Sequence, residues 1–430
     1  MTLIAYNLVL LLLSPVILSL LLWRLIVTGK SRRGLRERLG YIPARKLDSG
    51  GPRVWMHAVS VGETAAAQPI CAALLAALPD HRLLFSTTTD TGQEQAMKTV
   101  GERGQVIYFP FDFLPCAWLA LIRARPALIV LVETELWPNF LAVARMLGCK
   151  VMLANGIISD RTLRAARRMP PLFRWMTANL DGCCMQSEED AARIIRLGAD
   201  PARVMVAGNT KFDQALTEVP LGEQIRLRNA LGLSRDEPVL LAGSTHPGEE
   251  EHVLRAFRRV KAAHPRARLI VAPRHVPRAG EIEELAAAHG FASARRTKVE
   301  TMPPPTDAVI ILDTIGELAR AYALCAAAFV GGSLAPIGGH NLLEPLGLGK
   351  PVIFGPHMEK NRDIAAIVLA AGVGFQVADA DELAERWSAF LADRRLLKDI
   401  AALTRAVFHH HAGAAKRCAG EASKLLVGRK

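Results

Sequence analysis

The chain has 430 residues, half of them hydrophobic and 22% charged, with a formal net charge of +12. That apolar content, with only 33 glycines and 25 prolines, excludes a disordered or collagen-like chain and gives enough length for two domains. A positive mean hydropathy of +0.19 beside so large a charge raises the question of where each is concentrated.

Both are concentrated at the start. Met1 to Trp23 carries no charged side chain, and Leu3 to Trp23 is a 21-residue apolar run interrupted by Asn7, Ser14, Pro15 and Ser19. About 20 such residues cross a bilayer core as a helix, and a membrane helix tolerates a proline. Nine cations follow (Arg24, Lys30, Arg32, Arg33, Arg36, Arg38, Arg45, Lys46 and Arg53) against only Glu37 and Asp48. This collar supplies +7 of the +12. Residues 1–27 are therefore expected to be a transmembrane anchor and 28–50 a basic juxtamembrane segment. Positive flanks stay cytoplasmic, so the body is expected on the cytoplasmic side. A cleaved signal peptide fits poorly, because no positive n-region precedes the run and no A-x-A site follows it. The collar can also rest on anionic headgroups, at about 1 kcal/mol per cation.

Seven cysteines at 71, 116, 149, 183, 184, 325 and 418 form no C-x-x-C. They read as reduced thiols used as small hydrophobes, with neither a disulfide framework nor a zinc site expected.

After Gly50-Gly51-Pro52 short apolar runs recur. The first series is Val54–His57, Leu83–Ser86, Val106–Phe109, Leu128–Val132, Val151–Ala154 and Val204–Ala207. Helical stretches separate most of them, among them Thr64–Leu78, Phe140–Leu147 and Glu188–Leu197. The second series is Val239–Ala242, Leu269–Ala272, Val309–Leu312, Ala328–Val330 and Val352–Phe354, alternating with helices such as Glu249–Ala263 and Gly280–His289. Repeated strand–helix units predict an α/β chain of two doubly wound, Rossmann-like domains. The junction is placed between Gly208 and Glu223, and the tail after Asp381 reads as helices.

Ligands of open parallel sheets bind beyond the carboxyl ends of the strands, so those loops carry the candidate chemistry. His57-Ala-Val-Ser60-Val-Gly62-Glu63-Thr64 puts Glu63 in the first turn of a helix. It is there either as a base or as a carboxylate favouring the helix dipole. Glu133-Thr134-Glu135-Leu136-Trp137-Pro138-Asn139 sets two acids directly after a buried strand. One acts on a ligand or positions another group, or else Glu135 or Asn139 caps the next helix. Gly208-Asn209-Thr210-Lys211 offers a lysine to a phosphate, or a solvated linker lysine.

In the second half, the backbone amides of Gly243–Glu250 can cradle an anion ahead of a helix. Arg274, after Pro273, can bind phosphate or carboxylate bidentately. Gly331-Gly332-Ser333 and Gly338-Gly339-His340-Asn341-Leu342-Leu343-Glu344 allow close backbone approach to a ligand. Glu344 can take ribose hydroxyls, or Asn341 and Glu344 form a capping pair. G-x-G-x-x-G, G-x-x-x-x-G-K-[ST] and H-E-x-x-H are missing, which removes support for a hydride-transfer, P-loop or zincin enzyme. His409-His410-His411 reads as surface. Arg161, Arg164, Arg167, Arg168 and Arg174 make a basic helix that can meet a phosphorylated lipid or simply face solvent, and nucleic acid is not expected as a partner.

Together these loops resemble the Kdo (3-deoxy-D-manno-octulosonic acid) transferases of bacterial lipopolysaccharide synthesis. The resemblance runs through Trp55-Met-His-Ala-Val-Ser-Val-Gly-Glu63, Glu133-Thr-Glu-Leu-Trp-Pro-Asn139, Gly208-Asn-Thr-Lys-Phe-Asp213 and Phe329-Val-Gly-Gly-Ser333 to His340-Asn341. Leu342 stands where the family usually has Pro, and Ile157 where it often has Arg. The resemblance implies a GT-B glycosyltransferase with two domains facing a cleft: acceptor-binding over 51–210, a linker over 211–223, and CMP-sugar-binding with C-terminal helices over 224–430. It implies an inverting transfer of Kdo from CMP-Kdo to lipid IVA at the cell inner membrane, with no cofactor and no metal. By the same resemblance Glu63 is the general base, Glu133 and Lys211 stabilise the transition state, and CMP is held by Pro273-Arg274, Ile315-Gly316-Glu317 and Asn341-Leu342-Leu343-Glu344. Domain closure would assemble the reaction. The competing readings are another GT-B nucleotide-sugar enzyme, a UDP-sugar transferase or epimerase, and a non-catalytic membrane-associated nucleotide-binding protein.

Overall fold

The computed structural model describes residues 2–26, 32–47, 50–101, 103–215, 218–299 and 307–427; Lys30 and Asp48 of the expected collar lie outside them. Two compact units divide the chain, one of residues 1–214 and 411–430, the other of residues 215–410.

The first unit is built on seven parallel strands: β1 (Arg53–His57), β2 (Arg82–Thr87), β3 (Gly104–Tyr108), β4 (Leu128–Val132), β5 (Lys150–Gly156), β6 (Gly182–Met185) and β7 (Val204–Val206). Their order is β3-β2-β1-β4-β5-β6-β7. All five residues of β4 are buried, as expected of a central strand covered on both faces. The side chains alternate. Trp55, Leu84, Ile129 and Leu131 enter one core with Phe140 and Leu153. Val54, Met56, Phe85 and Val130 enter the other with Ala67, Ile70 and Cys71.

The second unit repeats the plan with β8 (Val239–Thr245), β9 (Arg268–Pro273), β10 (Ser293–Arg295), β11 (Val309–Ile311), β12 (Ala327–Val330), β13 (Val352–Phe354) and β14 (Gly374–Gln376). Their order is β10-β11-β9-β8-β12-β13-β14, again all parallel. Every expected strand is present, and β6, β10 and β14 are additional.

Two expected boundaries change. Residues 211–214 are not linker: Thr210–Gln214 is a 3-10 helix of the first unit. The tail does not all belong to the second domain. Helices Ala380–Ala392 and Arg394–His411 precede a return of the chain, and the Ala414–Val427 helix buries Ala415, Cys418, Ala419 and Ala422 in the first unit's core. Small side chains let that helix lie close to the sheet, which is why it is accepted there. Asp213 anchors its start, accepting from Gly413 N at 2.6 Å and Ala415 N at 2.8 Å. His411, expected on the surface, is buried and stacks on Phe212 with ring centres 4.4 Å apart.

Thr2–Ile26 is one continuous helix through Pro15, and among the described residues it alone is long and apolar enough to cross a membrane. Its first turns are tied to the body. Tyr6 Oη donates to Asp112 Oδ2 at 2.9 Å. Asn7 and Asn139 exchange side-chain bonds of 2.7 and 3.0 Å. The sequence placed this end of the helix across a bilayer from the body; in the structure it touches the body. All seven cysteines are free thiols, six of them buried.

Candidate functional site

The carboxyl end of the first sheet gathers Glu63, Glu133, Glu135 and Lys211. Glu63 lies in the first turn of the Val61–Ala77 helix, whose N-cap is Ser60. Its carboxylate accepts from Val59 N at 2.7 Å and Ser60 Oγ at 2.9 Å, while Ser60 Oγ accepts from Glu63 N at 3.3 Å. This is a reciprocal capping arrangement. It fixes the side chain without enclosing it: Glu63 stays part-exposed, and each carboxylate oxygen keeps a further lone pair. Capping therefore orients the same carboxylate that could act as a base. His57, at the end of β1, is wholly buried, bonds Ser86 through Nδ1 and stacks on Phe109. Burial lowers its pKa to about 3, so it is a neutral core residue.

Glu133 follows β4 with φ +61°, and Asn155 in the neighbouring β5 has φ +53°. Two non-glycine residues in the left-handed region at one sheet end mark strain of the kind held at functional sites. Glu135 neither caps the next helix nor stays an ordinary surface acid. Burial first, and then the charge of Glu63, raise its carboxyl to about 7, opposed by the Trp137 Nε1 bond at 3.0 Å. Glu135 therefore feels the charge of Glu63 across the loop, whereas the family resemblance singled out Glu133. Asn139 is not the cap either. Asp112 caps the Pro138–Met146 helix from another loop, accepting from Phe140 N at 2.8 Å and Asn139 N at 3.2 Å.

Lys211 is placed by a buried polar chain. Gln186 Nε2 donates to Asn155 O at 3.0 Å, and Asn209 Nδ2 donates to Gln186 Oε1 at 2.8 Å. Thr210 N donates to Asn155 Oδ1 at 3.0 Å, and Thr210 Oγ1 to Ala66 O at 2.8 Å. Lys211 N donates to Asn209 Oδ1 at 3.0 Å. This chain joins the 3-10 helix to the helix that carries Glu63, so the backbone of Lys211 belongs to the first unit and not to a linker.

At the carboxyl end of the second sheet the loops after β8, β9, β11 and β12 leave four adjacent strands. The glycine loop is occupied, but by the protein itself. Glu249, 1% exposed, accepts from Gly332 N at 2.7 Å, Ser333 N at 2.9 Å, Leu334 N at 2.9 Å, Ala335 N at 3.2 Å and His246 N at 2.9 Å. The close approach that Gly331 permits is to the Ser244–Thr245 backbone and to this carboxylate, and that of Gly332 is to the His340 ring. A Cβ on Gly331 would sit 2.8 Å from Glu249 Oε2, and one on Gly332 2.9 Å from His340 Cδ2. Amides of both loops, His246 N in the first and Gly332 N and Ser333 N in the second, are thus taken by Glu249.

The remaining groups differ in exposure. Arg274 is exposed beyond the end of β9, and its charge opposes the rise that burial causes in the Glu344 carboxyl. Asn341 Oδ1 accepts from Leu343 N at 3.0 Å, and Asn341 Nδ2 donates to Glu344 Oε1 at 3.3 Å; the cap position itself is Leu342, so the two do not form the expected capping pair. Leu342 and Leu343 are buried and pin this turn. Pro273 ends β9 inside the core. Ile315 is 92% exposed, and Gly316, at φ +90°, has open space around it. Glu317 is bonded to Thr314 and ion-paired with Arg296 at 3.4 Å.

In the first unit the basic helix Asp160–Arg168 and the helix Pro170–Ala178 border a recess of about 330 Å³. Arg167, Arg174 and Arg196 line it with Leu163, Phe173 and Leu197.

The family model for 3-deoxy-D-manno-octulosonic-acid transferase (kdotransferase) matches residues 33–214. A 3-deoxy-D-manno-octulosonic acid transferase of Bordetella pertussis is 36% identical over 389 residues, 88% of this chain and 89% of that protein. The enzyme of that name from Haemophilus influenzae is 32% identical, covering 82% of each chain. Among solved structures, a putative UDP-N-acetylglucosamine 2-epimerase from Listeria monocytogenes aligns with TM-score 0.58 at 13% identity, over 89% of this chain and 98% of that one. A glycosyltransferase from Rickettsia africae aligns with TM-score 0.55 at 11% identity, over 89% and 100%. At that identity the structural likeness speaks for the GT-B fold alone. The relatives at more than 30% identity along most of both chains settle the rest: this chain is a member of the 3-deoxy-D-manno-octulosonic acid transferase family, with a GT-B fold.

Proposed function

We propose that the chain moves Kdo from CMP-Kdo to lipid IVA, with inversion at the anomeric carbon. The observation that carries this reading is the 36% identity to a Kdo transferase along nearly the whole of both chains. Glu63 takes the proton of the acceptor hydroxyl as that oxygen attacks the anomeric carbon; the carbon–phosphate oxygen bond breaks and CMP leaves. The Ser60 and Val59 bonds aim the carboxylate for this step. Glu133 and Lys211 stabilise the charge that develops, Glu133 from its strained turn and Lys211 from its braced 3-10 helix. Pro273-Arg274, Ile315-Gly316-Glu317 and Asn341 to Glu344 hold the CMP moiety: Arg274 as the cation for phosphate, the exposed Ile315 against the base, and Glu344 for the ribose hydroxyls.

The Thr2–Ile26 helix is the membrane-binding element of this reading, which places the protein at the inner membrane. Its Tyr6 and Asn7 bonds to the body are kept only if the body sits against the membrane face beside those turns. The arginine-lined recess suits a phosphorylated lipid.

The Glu63→Ala variant is expected to bind CMP normally and to have no measurable transfer from CMP-Kdo to lipid IVA. Retained transfer removes Glu63 from the base role. Turnover with a UDP-sugar and none with CMP-Kdo rejects the donor.

A further inference from the structure

Three histidines stand together at the carboxyl end of the second sheet, from three different loops. His246 follows β8, His275 follows β9, and His340 comes from the glycine-rich segment after β12. His246 Nε2 and His340 Nε2 are 2.8 Å apart. Their rings are 6° from parallel with centres 5.1 Å apart. With the nitrogens that close, such a spacing means the rings meet edge to edge in one plane, joined nitrogen to nitrogen, and are not stacked face to face. His275 meets His246 at 5.8 Å, edge-on. Among the described residues no three His, Cys, Asp or Glu side chains come together as metal ligands, so the pair calls for a different use.

An in-plane N–H···N bond between two imidazoles fixes the proton count. One ring donates its Nε2 proton and the other accepts it. The neutral pair therefore has one bare Nδ1. Adding one proton gives a monocation with the bond intact, and adding two breaks it. The pair is thus a one-proton device. The fold invests in its geometry: Glu249 accepts from His246 N, and Gly332 leaves the room that the His340 ring fills. Ser244, two residues before His246, is held at φ +56°, and the Thr245 hydroxyl is buried without a partner.

The charged surroundings favour an anionic ligand. Around His340 stand His246, Arg274 and Lys360, with Glu249 as the acid; around His246 stand His275, Arg278, Glu249 and Glu250. Both acids are already engaged, Glu249 by five amides and Glu250 by Arg278 at 2.7 Å. Beside them stand the cations Arg274 and Lys360 and the histidines, with the half-buried Glu344 carboxyl near Arg274. Burial first, then the neighbouring cations, hold His340 down to about 4, and burial lowers His246 as well. The empty pair is therefore neutral at neutral pH. An anion beside it reverses that balance by stabilising the imidazolium.

We propose that the His246–His340 pair is the proton-bearing part of the donor's phosphate subsite, taking up one proton from solvent as a cytidine nucleotide binds and returning it when the nucleotide leaves. This rests on the reading that the second unit holds the CMP moiety. The added proton sits on the bare Nδ1, so the pair faces the phosphate as a monocation beside Arg274. Binding and protonation are reciprocal. Affinity for a cytidine phosphate therefore weakens as pH rises, by up to about tenfold per pH unit.

The test is calorimetric titration of the full chain with cytidine 5′-(methyl phosphate), a phosphodiester with no titrating proton near neutrality. Runs at one pH in buffers of different ionisation enthalpy count the protons exchanged. The wild type is expected to take up about one proton per nucleotide. His246→Gln and His340→Gln are expected to take up none and to bind more weakly. Nucleotide binding by the wild type without proton uptake overturns the pair's role and leaves the proposed function standing. Uptake that persists in both variants also overturns it, because another group then carries the proton. Absence of any cytidine nucleotide binding overturns the proposed function and this inference with it. Should one glutamine variant fail to fold, the proton count of the other decides, since losing either ring breaks the pair.

Discussion

Glu63 and Glu249 occupy equivalent places in the two units. Each lies in the first turn of the helix that follows the first strand of its sheet, and each accepts a backbone N–H from the loop just before it. Their fates differ. Glu63 holds only local bonds and stays part-exposed at the sheet's end. Glu249 is buried under four further amides from a segment more than eighty residues away. The local pattern is the same, and only the distant loop decides which carboxylate remains available to a substrate and which becomes a brace.

The comparison can be broken most directly by truncating both acids. Glu249→Ala strips five amides of their acceptor, some of them buried, and is expected to cost on the order of 3 kcal/mol or more. Glu63→Ala loses a capping partner worth roughly 1 kcal/mol. Thermal unfolding of the full chain should show the larger drop for Glu249→Ala; equal drops would mean that the two acids are not differently employed. Next in size is Gly332→Ala. It puts a Cβ against the His340 ring at a residue with φ +67°, and a loss of about 1–2 kcal/mol is expected. The same measurement checks it, and an unchanged unfolding temperature would show that the ring yields freely.

The smallest effect sharpens the first unit's side. Glu135 is held at about 7 against an ordinary 4.5, by burial first and the charge of Glu63 second. The folded state therefore keeps this proton where the unfolded chain has already released it. Stability falls as pH rises from about 4.5 to about 7 and is then level. Glu135→Gln removes that fall. The variant should match the parent below pH 4.5 and unfold at a higher temperature than the parent above pH 7. A constant difference across that range would show that Glu135 carries no raised proton.

Much of the fold is legible because its signals are local. The strands Leu128–Val132 and Val352–Phe354 are uninterrupted apolar runs, and burial on both faces of a parallel sheet demands just such runs. The strands β6, β10 and β14 read Gly-Cys-Cys-Met, Ser-Ala-Arg and Gly-Phe-Gln. They lack that signal and are strands because a neighbour supplies the pairing. Most candidate residues are likewise legible by their positions after strands, while Ile315, Gly316 and Glu317 come from the family resemblance alone. Which of their alternatives holds was not legible. Asp112 caps a helix that begins 26 residues later, and no spacing rule connects the two.

The sequence by itself determined the two doubly wound units, the apolar N-terminal helix with its basic collar, and the loops that can bear chemistry. These follow from hydrophobic period, turn residues and charge bias, all properties of neighbouring residues. Tertiary structure alone decided that the last helix returns to the first unit, that Tyr6 and Asn7 bind the body, that Glu135 feels Glu63, and that His246 and His340 share a proton. Each of these depends on groups brought together across long stretches of chain. Burial and charge act through distance in space, which the order of residues does not record.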